Sequence, residues 1–163
     1  MIKILTDSAS DIELDEAEKL GISLIPILIR FGNEEYLDGV NLSHRKFFER
    51  LIESKELPQT SQINEFAFNQ KFEELTADGS DVIAVLLSSK LSGTYASAVK
   101  AAENFKGKVK VVDSLNACIG ERVLVQYALK LAKQFSNADA IAEELNSAKG
   151  KIRLLALLDT LKY

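Results

Sequence analysis

Between Ser88 and Ala98 the chain reads Ser-Ser-Lys-Leu-Ser-Gly-Thr-Tyr-Ala-Ser-Ala, which gathers several hydroxyls and a glycine at the junction of two elements. Val82-Ile83-Ala84-Val85-Leu86-Leu87 before it reads as a buried strand, and Val99-Lys100-Ala101-Ala102-Glu103 after it as a helix. The first turn of such a helix has unpaired N–H groups that attract an anion. Lys90 is the one cationic side chain in the stretch and no strong base stands beside it. That chemistry favours holding an acid over cleaving a bond.

Two more expected strand ends carry hydroxyls, Thr6-Asp7-Ser8-Ala9-Ser10-Asp11 and Asp113-Ser114, and Thr60 and Ser61 stand in a loop before a helix. In an open parallel sheet the C-terminal strand ends share one edge, where ligands collect at the switch point. Each residue also has a plainer use. Ser10 and Ser92 suit helix N-caps, Asp7 suits bracing its own turn, and Asp113 and Ser114 suit a strand-end turn. A serine- and aspartate-dependent acyl or phosphoryl hydrolase built on Ser92 or Ser8 with Asp7 is the enzymatic alternative. Against it stand the single histidine, His44, expected at a solvent-exposed helix start, and the absence of a Gly-x-Ser-x-Gly elbow. A dinucleotide site is disfavoured too, because the first turn has no glycine and two acids that would repel a pyrophosphate.

The elements that must position these residues alternate. Ile2–Thr6 reads as a strand, and Ser10-Asp11-Ile12-Glu13 as a capping box opening a helix that ends near Gly21. Ile22–Phe31 is strongly β, with Pro26 marking an edge or a bulge. Turn signals flank Tyr36-Leu37, as in a small hairpin. Ser43 caps a helix to about Lys55, with Leu42 and Phe47 at hydrophobic-staple spacing. Pro58–Gln62 is an extended loop, followed by a helix from Glu65 to Thr76 whose Phe66, Phe68, Phe72 and Leu75 suit core or groove wall. Val109–Val112 is a strand. Helices follow from about Gly120 to Gln134 and after Ser136 or Asn137, the second burying Ile141, Ala142, Leu145 and Ala148. The pattern predicts an α/β fold with a mostly parallel sheet and helices on both faces. Ile152–Leu158 reads as a further strand and Asp159–Tyr163 as a helix beginning. Residues 1–150 are therefore expected to form one α/β domain, and 151–163 the start of a second domain that is otherwise missing.

Composition narrows the rest. The chain has 163 residues, 47% of them hydrophobic, and a net charge of −4 with both signs interspersed. This suits one globular domain and argues against nucleic-acid binding, as do the few aromatics. The lone Cys118 excludes an internal disulfide and, with one histidine, any usual metal constellation. No apolar run reaches spanning length and no signal peptide is evident, so a cytoplasmic protein without membrane insertion or cofactor is expected.

Thr-Asp-Ser-Ala-Ser-Asp at the first strand end, Pro-Gln-Thr-Ser-Gln, Ser-Ser-Lys-Leu-Ser-Gly-Thr-Tyr-Ala-Ser-Ala, Val-Asp-Ser and Leu-Asp-Thr-Leu-Lys-Tyr follow one another in this order. With these motifs, spread over essentially all 163 residues, the chain closely resembles the DegV family of bacterial fatty-acid-binding proteins. The resemblance implies two α/β domains with a long-chain fatty acid, such as palmitate, held between them. It implies that Thr60 and Ser92 hydrogen-bond the ligand carboxylate, with Thr6, Asp7, Ser8, Ser61, Gly93 and Thr94 as pocket-lining candidates. It also implies a non-catalytic carrier whose partner is the catalytic subunit of a fatty acid kinase. The family's continuation past the final motif, and a second-domain histidine that contacts the carboxylate, have no counterpart before Tyr163. An acyl groove without its second domain, together with an orphan strand, is expected to favour self-association.

Overall fold

The computed structural model describes residues 1–157. Its parallel sheet is built from β1 (Ile2–Asp7), β2 (Ile22–Ile25), β6 (Asp81–Leu86) and β7 (Val109–Asp113), in the order β2-β1-β6-β7. Strict alternation along the central strand explains why helices cover both faces. Ile83 and Val85 of β6 enter one cluster with Ile4, Val112, Leu124, Val125, Ile141 and Leu145. Val82, Ala84 and Leu86 enter the other, with Leu5, Phe68, Phe72, Leu75, Ala98 and Ala101. The first face carries α5 (Cys118–Ala132) and α6 (Ala138–Ala148), and the second carries α3 (Glu65–Thr76) and α4 (Thr94–Ala102). The fold is the α/β arrangement read from the sequence.

Pro26 does more than mark an edge. It divides the expected Ile22–Phe31 strand in two: β2 is the edge of the parallel sheet, and β3 (Leu28–Phe31) starts a separate antiparallel one. A proline cannot donate to a ladder, so the chain leaves the first sheet there and joins the second. β3 pairs with β4 (Glu34–Leu37), the expected hairpin, and with β5 (Gln59–Ser61), where a loop was expected. A small cluster of Ile29, Phe31 and Leu42, flanked by Tyr36 and Phe47, anchors α2 (His44–Glu53) to this sheet. Ser43 caps α2 by accepting from the Lys46 N–H at 3.3 Å, with Leu42 and Phe47 both in the cluster as the staple requires.

Two expectations fail locally. Ser10 does not cap a helix. Residues Ser8–Ser10 form a short 3₁₀ turn capped by Asp7, Asp11 takes a left-handed conformation (φ 55°), and α1 (Leu14–Leu20) begins only afterwards. The Ser10 hydroxyl instead donates back to the Asp7 carbonyl at 2.8 Å. The predicted strand Ile152–Leu158 is not formed over 152–157, which pairs with no ladder and leaves Leu155 and Leu157 95% and 101% exposed. A strand needs a neighbour, and the described residues offer none at that point. Leu158 and the helix start expected over Asp159–Tyr163 lie outside the described residues.

Candidate functional site

β1 connects through α1 to β2 on one side, whereas β6 connects through α4 to β7 on the other. Adjacent strands whose connections diverge leave a crevice at their C-terminal ends. A cleft of about 440 Å³ opens there, lined by Ala9, Ile27, Thr60, Ser61, Gln62, Leu87, Leu91, Ser92 and Gly93. The turn after β1, the loop after β6 and the edge strand β5 all contribute to it. Four of these residues are apolar; Thr60, Ser61, Gln62 and Ser92 are polar side chains, and Gly93 offers main chain.

The cleft's walls are fastened from behind. Asp7 is fully buried, and its carboxylate accepts from the N–H groups of Ala9 and Leu87, both at 2.9 Å. The Ser8 hydroxyl accepts from the Ile27 N–H at 3.1 Å. Asp113 accepts from the Ser89 N–H at 3.1 Å and the Leu115 N–H at 2.9 Å, so the end of β7 braces the hydroxyl-rich loop without entering the cleft. Along that loop, the N–H groups of residues 87–94 all have partners among the described residues except that of Gly93. The free donor therefore belongs to a cleft residue.

Gly93 has an ordinary backbone conformation, so its value lies in space rather than in φ. A Cβ there would come within 1.9 Å of the Gln62 side-chain oxygen. Gln62 is exposed and long, so it moves aside cheaply. Gly93→Ala should therefore leave the melting temperature within about 2 °C of the parent, while swinging Gln62 out of its place in the cleft. A collapse in stability would show that this contact is part of the fold.

The sequence-derived candidates thus separate. Thr60, Ser61, Ser92 and Gly93 come together in one cleft. Thr6, Asp7 and Thr94 are fully buried and do not line it. Asp7 and Thr94 act on cleft residues from behind, whereas Thr6 donates to Glu121. Ser8 lines a different cavity of about 420 Å³ with Asp11, Glu13, Asp38 and His44. His44 is exposed and pairs with Glu13 at 3.5 Å, away from Ser92's cleft. The acid that the hydrolase alternative needs, Asp7, is committed to two main-chain donors instead.

Glu121 escaped the sequence reading. It is fully buried in the first turn of α5, its Oε1 accepts from the Thr6 hydroxyl at 3.1 Å, and its Oε2 has no partner among the described residues. Burial, with Asp7 nearby, pushes its carboxyl up to about 10, so it is neutral at pH 7. Burial also raises Asp7 to about 6, against the opposing pull of the Leu87 and Ala9 N–H groups. The signal was present: Glu121 lies on the stripe Glu121, Leu124, Val125, Ala128, Leu131 that α5 turns inward.

Among the described residues no group of His, Cys, Asp and Glu is arranged to hold a metal ion. No helix there is long and apolar enough to cross a membrane.

Comparison with known proteins places these features. The family described as "Uncharacterised protein, DegV family" matches residues 1–163. A DegV domain-containing protein of Caldanaerobacter subterraneus is 35% identical over 163 residues, 99% of this chain and 58% of the relative. Two solved structures superpose closely. A DegV family protein from Thermus thermophilus, described for its fatty acid binding, has a TM-score of 0.82 at 30% identity, covering 91% of this chain and 53% of that one. DegV of Bacillus subtilis, described as a fatty acid binding protein, has a TM-score of 0.83 at 31% identity, covering 91% and 54%. The chain thus spans little more than half the length of these relatives.

Proposed function

The chain belongs to the DegV family, and from that premise we propose that it binds a long-chain fatty acid without catalysis, its carboxylate held by Thr60 and Ser92. The observation that carries this reading is the make-up of a single cleft at the switch point. Thr60, Ser92 and Gly93, which bring two hydroxyls and a free N–H, line it together with the apolar Ala9, Ile27, Leu87 and Leu91. Such a lining suits a guest with one anionic end and a hydrocarbon remainder. The fatty-acid-binding descriptions of the two structural relatives support it.

The division of labour follows from magnitudes. Each buried methylene contributes about 0.8 kcal/mol before ordering costs, so the tail dominates affinity. A hydrogen bond to a charged group contributes about 1.5–3 kcal/mol, so the head decides which lipids are accepted. Ser92→Ala and Thr60→Ala should each weaken palmitate binding by about tenfold while leaving methyl palmitate nearly unchanged. Titration of both ligands into the three proteins checks this. Equal losses for acid and ester would remove the assignment of the head group.

In our reading the bound acid is presented to the catalytic subunit of a fatty acid kinase, with the groove closed by a second domain like the part of the relatives that this chain does not match. Leu154, Leu155 and Leu157 form an exposed apolar run through which copies of this chain are expected to associate. Light scattering should show mass rising with concentration, and a constant monomer mass across the range would count against that contact.

A further inference from the structure

We infer that Thr94, which does not line the cleft, is a positioning residue that fixes the Ser92 hydroxyl as a hydrogen-bond donor to the guest. The inference rests on the fatty-acid reading of the cleft and concerns what makes that cleft prefer an acid.

Thr94 Oγ1 accepts from the Ile63 N–H at 3.2 Å and lies 3.0 Å from Ser92 Oγ. Ser92 Oγ in turn accepts from the Thr94 N–H at 3.2 Å. Thr94 is fully buried, so its hydroxyl proton must find an acceptor inside the protein. The hydrogen bonds of the described residues give it one, Ser92 Oγ. The reverse arrangement, with Ser92 donating, would leave the Thr94 hydroxyl proton without an acceptor in the core. Unmade hydrogen bonds of buried groups are costly, so the chain of donation runs from Ile63 through Thr94 to Ser92.

Ser92 Oγ then receives two hydrogen bonds, from the N–H and the hydroxyl of the same residue. A hydroxyl has two acceptor sites and one proton. With both sites filled, Ser92 can offer the cleft only its proton. A carboxylate, which only accepts, is matched. The hydroxyl of a fatty alcohol would present a proton that Ser92 has no lone pair to receive. Selection for an ionised head thus originates one residue behind the wall, in a side chain that never meets the ligand.

Octanoate and 1-octanol test this, because both dissolve well enough for weak binding to be followed through backbone amide shifts. The native chain should bind octanoate more tightly than octanol. Thr94→Val, which keeps the shape but removes the relay, should weaken octanoate by about fivefold and change octanol by less than twofold. Thr94→Ser should restore the native ratio. A purely structural role would lower both affinities together and leave the ratio unmoved, and that result overturns the inference while the fatty-acid reading stands. No octanoate-dependent shifts around Ser92 in the native chain would overturn both. The native protein also gives a readout that needs no variant: the slowly exchanging hydroxyl proton should belong to Thr94 and show contacts to the Ser92 methylene. A protected proton on Ser92 pointing at Thr94 would refute the donor assignment.

Discussion

Glu121→Gln should make the protein more stable above neutral pH and less stable below about pH 5. The folded carboxyl titrates near 10 against an ordinary value of 4.5. Between those values the folded state holds a proton that the unfolded chain releases, so stability falls as pH rises through that window, by at most about 1.4 kcal/mol per unit. By pH 8 keeping Glu121 neutral costs roughly 4–5 kcal/mol on the same arithmetic. Glutamine removes that dependence and can still accept from Thr6. The neutral acid already leaves one proton unpaired beside Oε2; the amide leaves two, and the additional one costs about 1–3 kcal/mol at every pH. The difference leaves the variant about 2 kcal/mol ahead at pH 8 and behind at pH 5. Urea denaturation of both proteins from pH 5 to 9 should give curves that cross. Parallel curves would mean that Glu121 is ionised in the fold.

Asp7→Asn separates stability from site geometry. Asp7 titrates near 6 in the fold against 3.8 ordinarily, so it too draws stability down as pH rises, here between about 4 and 6. The total is about 3 kcal/mol once it is ionised. The asparagine escapes that cost, yet it has one acceptor oxygen where the carboxylate uses two. One of the two N–H groups, Ala9's or Leu87's, must lose its partner. The variant should therefore be at least as stable at pH 7 and should lack the decline between pH 4 and 6. Hydrogen exchange at Ala9 or Leu87 should rise about tenfold or more, with weaker acid binding as the wall loosens. Unchanged protection at both amides would show that the carboxylate does not hold the cleft's floor.

What the sequence disclosed and what it hid divide along physical lines. The continuous apolar run Val82–Leu86 could be read because a strand buried on both faces needs nothing else to identify it. Ser43 was legible as a cap because the staple pair Leu42 and Phe47 accompanied it. Asn137, one of the two caps weighed for α6, does accept from the Asp139 N–H at 2.8 Å. The loop containing Ser92 and Gly93 was legible because its hydroxyls fall between a clear strand and a clear helix. Local pattern failed where a distant partner decided the outcome. Ser10 has the spacing of a capping box, but the Asp7 carboxylate, tied to Leu87 some 80 residues away, sets the turn there. Pro26 disclosed a break in a strand without disclosing that a second sheet awaited the chain. Thr60 belongs to a strand only because β3 lies beside it. The Ile152–Leu158 run shows the limit of composition: its residues favour a strand, and over 152–157 none of the described residues pairs with it to make one.

The central claim is that one cleft, holding Thr60, Ser92 and Gly93, receives the head of a fatty acid. Backbone amide shifts recorded while palmitate is added test it most directly. The account predicts that the largest changes fall at Thr60, Ser61, Gln62, Ser92 and Gly93 and are markedly smaller when methyl palmitate replaces the acid. Changes centred instead on the cavity of Asp11, Glu13, Asp38 and His44, or none at residues 60–62 and 91–94, would contradict it.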